Sequence, residues 1–361
     1  MKTIVVVSND LKGNGAERVV ITLADQFIAQ GHRCHIVCFK RFRELPSSQK
    51  LKVHIFPLQY LRWIPRKWRG RILAPLLDKF IRRQTRGTPD LVLSNLLPAD
   101  RILCLSSLPN VHLIMHSTLS RQENLHDQTT AERAHKLEKL SEIYTQKPVI
   151  CVSQGVKTDF CRLFPEHQEV TTIYNPADTE FIHNSAQNSA GAEIPNGDYL
   201  IHVGKFNRAK RHNKLLKAYA ASQISSPLVL VGQGPLFEDC TTLAHKLGID
   251  KRVIFAGFHA NPYPLIANAK GMIVSSDYEG LGMVILEAIS LGVPVISTDC
   301  PSGPGEILPA KNLVPVDDEQ ALATKIQELV EKPGHFLVPF SRDFSPETAV
   351  RQYLALIPAN L

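Results

Sequence analysis

No run of about 18 uncharged apolar residues, the length a membrane-spanning helix needs, occurs in this 361-residue chain. The N-terminal MKTIVVVSND lacks the longer apolar region and small-residue cleavage site of a secretory signal. Its β-branched run ending in Ser8-Asn9-Asp10 reads as a buried first strand. The seven cysteines, at 34, 38, 104, 151, 161, 240 and 300, form no C-x-x-C pair, which argues against a zinc ribbon or a thioredoxin-type site. Their odd number and apolar neighbours fit reduced, buried thiols and a cytoplasmic protein. No repeat of 20–50 residues and no low-complexity tract appears, so solenoids and propellers are excluded. An Asp-x-Asp element in a metal-holding position is also lacking, and no metal or cofactor is expected.

Positive charge is abundant. The formal net charge is +7, and residues 40–86 carry 14 Lys/Arg against 2 acidic residues. This balance points to anionic partners. Within the arm, Arg62, Trp63, Arg66, Lys67, Trp68, Arg69 and Arg71 interleave with Ile and Leu. Three readings fit: an amphipathic segment on an anionic membrane surface, a single-stranded nucleic-acid site, or a solvated face with two core tryptophans. We take membrane contact as the expectation and expect no nucleic-acid partner.

Elsewhere strand-like apolar runs alternate with helical patterns. Strands are expected at 4–7, 34–39, 91–94, 111–115 and 149–152, with a helix at 16–30 ended by Gly31. Residues 175–198, rich in Asn, Ser, Pro and Gly, break the rhythm and read as a linker with Asn175-Pro176 as a hinge. Strands then resume at 199–203, 228–231, 253–256, 271–275 and 293–297, with helices at 213–221, 236–247 and 283–291. Such a rhythm predicts an α/β chain of two doubly wound, Rossmann-like domains, at 1–178 and 179–344, facing a central cleft. Ligands in such sheets sit beyond the carboxyl ends of the strands.

The segment from Ser276 to Ala288 (SDYEGLGMVILEA) runs from a strand through a glycine loop into a helix. Gly280 and Gly282 let backbone approach a ligand. The first helical amides, near Gly282, Met283 and Val284, have no intrahelical partner and offer donors to an anion. Glu279 and Glu287 are placed to accept hydrogen bonds from sugar and ribose hydroxyls. A surface Glu and an ordinary helical Glu are the plainer alternative. Downstream stands Leu291-Gly292-Val293-Pro294-Val295-Ile296, then Cys300-Pro301-Ser302-Gly303-Pro304-Gly305-Glu306-Ile307-Leu308.

Here the chain resembles glycosyltransferase family 4, in which a Glu-x7-Glu element precedes a Gly-x-Pro-Val-Ile strand and a Gly-rich turn ending in Glu-Ile. The Cys-Pro-Ser-Gly-Pro form resembles that of members building bacterial surface polysaccharides, many of which carry Arg where this chain has Gly305. Three further segments carry the resemblance: Gly13-Asn14-Gly15-Ala16-Glu17-Arg18, Val203–Arg211 (VGKFNRAKR), and Gly232-Gln233-Gly234-Pro235. It implies a retaining transferase of the GT-B fold, whose last helix (345–361) packs back on the N-terminal domain. The donor it implies is a nucleotide diphosphate sugar, a UDP-hexose or UDP-N-acetylhexosamine. The implied acceptor is a lipid-linked saccharide such as lipopolysaccharide core or O-antigen, met at the inner face of the cell membrane.

The residue roles follow the motifs. Gly13, Gly15 and the backbone around Gly232, Gly280 and Leu281 line the donor site, and Lys205, Lys210 and the helix end near Met283 hold the leaving diphosphate, whose growing charge fixed cations stabilise. Lys205 keeps the charge but not the bidentate fork of the more usual Arg. Glu279 takes the donor sugar, Glu287 the ribose. His116, at a strand end, corresponds to a family histidine facing the donor sugar. The competing functions are a sugar-nucleotide epimerase of the same fold, a retaining phosphorylase, and a basic scaffold without catalysis.

Overall fold

The computed structural model describes residues 1–11, 15–40, 51–58, 66–188 and 193–358. In chain order the elements begin β1 (Thr3–Ser8), α1 (Gly15–Ala29), β2 (Arg33–Cys38), β3 (Lys52–Ile55), α2 (Arg66–Thr85), β4 (Leu91–Asn95), α3 (Leu97–Leu103) and β5 (Val111–Met115). Next come α4 (Leu119–Gln122), α5 (Thr130–Tyr144), β6 (Val149–Cys151), α6 (Gln154–Leu163), β7 (Val170–Thr172) and α7 (Thr179–Ala186). After α7 follow β8 (Leu200–Val203), α8 (His212–Ser222), β9 (Leu228–Val231), α9 (Phe237–Lys246), β10 (Val253–Gly257), α10 (Tyr263–Ala267), β11 (Gly271–Val274) and α11 (Met283–Ser290). The chain closes with β12 (Val295–Thr298), α12 (Pro304–Ile307), β13 (Leu313–Val314), α13 (Glu319–Glu331) and α14 (Pro346–Ala355). It divides into two compact units, residues 1–176 with 343–361, and residues 177–342.

The first unit holds, among the described residues, a parallel sheet of order β3-β2-β1-β4-β5-β6-β7. Its central strands are apolar on both faces: Ile4–Val7, Leu91–Leu93 and Leu113–Met115 are all buried, as befits a parallel sheet covered by helices on both sides. α1 buries Val19, Val20, Leu23, Ala24 and Phe27 on one stripe. It ends at Gly31, whose φ of +82° lets the amide of His32 turn back onto the Phe27 carbonyl at 3.0 Å. α14 lies against α1: Phe27 and Tyr353 meet edge to face at 6.3 Å, and the Gln26 amide donates to Glu347 at 3.1 Å.

The second unit has a sheet of order β10-β9-β8-β11-β12-β13, again parallel. Leu200, Leu228, Leu230, Ile273 and Ile296 from its strands pack with Leu215, Tyr219, Ile326 and Leu329 of α8 and α13. In both sheets the strand order reverses beside the first strand, between β1 and β4 and between β8 and β11. Ligands of open α/β sheets bind at such a reversal.

One expectation is corrected. The 175–198 stretch is not linker throughout: α7 occupies Thr179–Ala186 within it. Asp178 caps it by accepting from the Phe181 amide at 2.9 Å, Ile182 is buried, and Asn261 donates to the Ser185 carbonyl at 2.8 Å. Three apolar residues in eight, Phe181, Ile182 and Ala186, are too few to announce a helix; contacts with α10 and α11 hold it. The short strands β3, β7 and β13 and the helix α13 were also not foreseen.

Candidate active site

In the second unit the loops after β8 and β11 meet at the strand-order reversal. The β8 loop is held down by close backbone approach. A Cβ on Gly232 would lie 2.0 Å from the Gly204 carbonyl oxygen, and one on Gly234 would lie 2.4 Å from that of Phe206. Only glycine allows this stacking, which the Gly204 amide seals by donating to Val231 at 2.9 Å. Asn207 then accepts from the Lys210 amide at 3.1 Å, shaping the single 3-10 turn that presents Lys210. Arg211 follows in the left-handed region, at φ 48°.

The Lys210 ammonium donates to Glu279 Oε1 at 2.5 Å, and the Ser276 hydroxyl donates to the same oxygen at 2.6 Å. Both charged side chains are largely shielded, 19% and 11% exposed, so removing one partner, which strands the other charge out of water, costs more than at a surface ion pair. The two loops are further stitched: the Asp277 amide donates to the Ala209 carbonyl at 2.8 Å, the Ser275 hydroxyl to the Lys210 carbonyl at 2.8 Å, and Arg211 and Lys214 pair with Asp277. Beneath them lie two buried imidazoles. His202 donates through Nδ1 to the Ile273 carbonyl at 2.8 Å, and His212 stacks on Phe206 at 3.9 Å. Burial pushes their pKa values down to about 4 and about 2, so both are neutral beside Lys210.

α11 opens at Gly282, in the left-handed region at φ 91°, with no side-chain cap. A third loop supports this turn from below. A Cβ on Gly303 would lie 2.3 Å from the Leu281 carbonyl oxygen, Thr298 donates to the Ser276 carbonyl at 2.6 Å, and the Ser302 hydroxyl donates to the Glu279 carbonyl. Leu281 is buried, whereas Gly280, Met283 and Val284 are half-buried. Glu287 is buried one turn into α11, where its carboxylate accepts from the Tyr263 hydroxyl at 3.3 Å. The arrangement offers a cation, a helix start and two oriented carboxylates: a site for an anionic, hydroxylated ligand.

In the first unit His116 follows β5. Both its ring nitrogens are shielded from solvent and have no hydrogen-bond partner among the described residues. Burial lowers its pKa to about 4, so at neutral pH it is an imidazole with one donor and one acceptor. Gly15 opens α1 and is exposed. In the basic arm Trp68 is half exposed under the Arg71 guanidinium, 5.7 Å from its ring centroid, and Arg69 is half-buried. Ile72, Leu76 and Leu105 are also exposed. The spacing of Trp68, Ile72 and Leu76 puts them on one face of α2. Gly13, Arg62 and Trp63 lie outside the described residues, as do the side chains of Arg66 and Lys67.

Residues 13–181 match the family described as Glycosyltransferase Family 4, and residues 185–348 match Glycosyl transferases group 1. The chain thus carries a glycosyltransferase family 4 domain followed by a group 1 glycosyl transferase domain. It is 29% identical over 165 residues to the lipopolysaccharide 1,6-galactosyltransferase of Salmonella typhimurium, covering 44% of this chain and 45% of that one. It is 28% identical over 162 residues, 44% of each chain, to the N-acetylgalactosamine-N,N'-diacetylbacillosaminyl-diphospho-undecaprenol 4-alpha-N-acetylgalactosaminyltransferase of Campylobacter jejuni. The chain thus spans a little under half the length of the curated relatives it matches. Among solved structures, Anabaena HepE in complex with UDP and glucose superimposes with a TM-score of 0.75 at 21% identity, covering 98% of this chain and 99% of that one. The lipopolysaccharide outer core galactosyltransferase WaaB in its apo form gives 0.64 at 20%, covering 99% and 100%. These likenesses show the fold: two parallel α/β domains of the GT-B type.

The structure brings Lys210, Glu279, Gly280, Gly282 and Met283 onto adjoining loops of one unit, with Gly232 as a packing glycine behind Lys210. Lys205 lies on the same loop, exposed. Sequence reasoning missed Ser276, Asp277, Arg211, Ser302 and Tyr263, which orient the foreseen residues. Only Asp277 carried a signal, as an acid beside a glycine loop.

Proposed function

We propose that this chain is a retaining glycosyltransferase that moves a hexose or N-acetylhexosamine from a UDP-sugar to a lipid-linked saccharide in surface polysaccharide or lipopolysaccharide assembly. The observation that carries the reading is the shielded Lys210–Glu279 pair beside the uncapped start of α11, at the strand-order reversal of the second unit. In the absence of donor the two charges neutralise each other. A diphosphate takes the Lys210 ammonium and the α11 amides, freeing Glu279 to accept from sugar hydroxyls. As the glycosidic bond breaks, charge accumulates on the leaving diphosphate, where Lys205, Lys210 and the helix start stabilise it. Glu287 accepts from the ribose, and neutral His116 serves the donor sugar. The relatives act in lipopolysaccharide or undecaprenyl-linked pathways by name, which supports the acceptor class.

An anionic membrane surface at the cytoplasmic face is the proposed second partner. The apolar stripe of Trp68, Ile72 and Leu76 runs along a helix that also carries Arg69, Arg71, Lys79, Arg82 and Arg83, the composition of an interfacial helix.

The deciding experiment incubates the protein with a panel of UDP-sugars and a lipid-linked acceptor extract, and reads the product's anomeric configuration by NMR. The expected product retains the donor's configuration. An epimerised nucleotide sugar with no acceptor product, or phosphate-dependent release of a sugar phosphate, would overturn the reading.

A further inference from the structure

The turn that presents Lys210 is joined to α8 through a residue whose type is at odds with its backbone. Arg211 sits at φ 48° and ψ 42°, between the 3-10 turn of Arg208–Lys210 and the first residue of α8. Glycine takes this left-handed region freely, whereas a residue with a Cβ is disfavoured there. α8 itself is anchored in the core by Leu215 and Leu216, and the Arg211 carbonyl accepts from the Lys214 and Leu215 amides at 2.9 and 3.2 Å. The two backbone dihedrals of Arg211 therefore set how the Lys210 end of the turn is carried relative to α8. The Ser275 hydroxyl, which donates to the Lys210 carbonyl at 2.8 Å, meets it only while the peptide plane between Lys210 and Arg211 keeps this orientation.

The loop after β11 grips the turn on both sides of Lys210. On one side the Asp277 amide donates to the Ala209 carbonyl at 2.8 Å. On the other, Arg211 donates through Nε to Asp277 Oδ2, while Lys214 Nζ stands 3.5 Å from Oδ1. Asp277 and Lys214 are 17% and 15% exposed, so this carboxylate and its cations are better shielded than an ordinary surface pair. Asp277 precedes by two residues Glu279, the acid that receives the Lys210 ammonium. One loop thus supplies both the acceptor for Lys210 and the clamp on the residue that follows it.

We propose that Asp277 is a positioning residue for Lys210: its carboxylate, acting through the Arg211 guanidinium, keeps Arg211 left-handed and so keeps the Lys210 ammonium directed at Glu279 and, with donor bound, at the diphosphate. This rests on the reading of Lys210 as a cation that holds the diphosphate. Charge alone argues for the reverse effect. Removing an acid from among Lys210, Arg211 and Lys214 strengthens the attraction of the site for an anion. Geometry and charge therefore predict changes of opposite sign when Asp277 is lost.

The test reads UDP binding by calorimetry and the backbone at residue 211 by NMR, with circular dichroism to verify folding. Asp277→Ala should bind UDP at least fivefold more weakly than wild type. Arg211→Ala and Arg211→Gly lose the same charge and differ by one Cβ. The alanine variant, which keeps the strain and lacks the clamp, should bind UDP at least fivefold more weakly than the glycine variant. Adding Arg211→Gly to Asp277→Ala should restore affinity at least threefold, although it removes a cation. The nuclear Overhauser effect between the amide proton and Hα of residue 211 is strong at positive φ, and it should weaken in Asp277→Ala. Unchanged or tighter UDP binding in Asp277→Ala, equal binding by Arg211→Ala and Arg211→Gly, or an undiminished Overhauser effect in a folded Asp277→Ala overturns the positioning role. If Asp277→Ala fails to fold, the two Arg211 variants decide alone. Wild-type UDP binding by Lys210→Ala overturns the diphosphate role of Lys210 itself, and the Overhauser effect at residue 211 still decides whether Asp277 holds the turn.

Discussion

Gly303→Ala is a sharp test of the second unit's site because it meets that site only through the Leu281 backbone and leaves the Lys210, Glu279 and Glu287 side chains in place. The residue sits at φ 90° and ψ −77°, a sparsely populated conformation that costs an L-residue about 1–3 kcal/mol. The added Cβ would stand 2.3 Å from the Leu281 carbonyl oxygen, 2.5 Å from its carbon and 2.8 Å from its Cα, all backbone atoms that cannot rotate aside. Ordinary contact begins near ~3.5 Å, so one loop must retreat by about 1 Å. Leu281 lies between Glu279 and the Gly282 that opens α11, and the neighbouring Ser302 donates to the Glu279 carbonyl. The retreat is thus delivered to the carboxylate and the helix start together. A ~1 Å misplacement of a positioning group costs roughly 100-fold in rate, or about 2.7 kcal/mol of barrier. The assay is initial-rate donor turnover with a UDP-sugar panel, beside circular dichroism to verify folding. Gly334→Ala is the control: its Cβ meets nothing within 4 Å, and its rate should be that of wild type. Gly305→Ala meets only the Asp299 side chain at 3.1 Å and the Leu313 side chain at 3.8 Å, and should fall between the two. A folded Gly303→Ala keeping more than a third of the wild-type kcat/KM would refute the reasoning.

Glu279→Ala should lower turnover roughly 100-fold through loss of an oriented acceptor, and Glu287→Ala should chiefly weaken donor binding; calorimetry with the donor beside steady-state rates separates them, and wild-type behaviour of both sinks the assignment. On the proposed role of Lys205, Lys210 and the α11 start in holding the diphosphate, EDTA should leave turnover intact; loss of activity restored by Mg²⁺ or Mn²⁺ contradicts this. Stability should fall on acidification from pH 6.5 toward 4. Burial holds the pKa of His35, His112, His116 and His202 at about 4 and of His212 at about 2, so the unfolded chain binds more protons in that window; Asp100, raised to about 7, acts in the opposite sense as a single group. A Tm at pH 5 no lower than at pH 7 rejects this sum. Finally, Trp68→Ser/Ile72→Ser/Leu76→Ser should lose the salt-resistant part of binding to anionic vesicles in co-sedimentation, while each Lys or Arg near the surface adds about 1 kcal/mol that salt screens; equal binding of wild type to neutral and anionic vesicles argues against the docking surface.

The sequence by itself determined the class of fold and pointed to the loop proposed to carry the site. Continuous apolar runs such as 4–7 and 228–231, alternating with amphipathic helices, admit only covered parallel sheets, and a glycine loop between a strand and a helix advertises an anion-binding turn. The Glu-x7-Glu spacing was legible because both residues belong to one local element. What stayed hidden has in common a long separation along the chain. Lys210 and Glu279 are 69 residues apart, and their pairing depends on β8 and β11 lying side by side at the reversal of strand order. Asn95 and Ser8 are 87 apart and meet for the same reason at β1 and β4. α7 was misread because eight mostly polar residues owe their helix to a cap and to neighbouring helices, not to a pattern of their own. Local spacing fixes which side chains share an element. Strand order, which depends on packing the whole sheet at once, decides which elements face each other, and so only the tertiary structure shows which charges are paired and which buried polar atoms are still unpartnered.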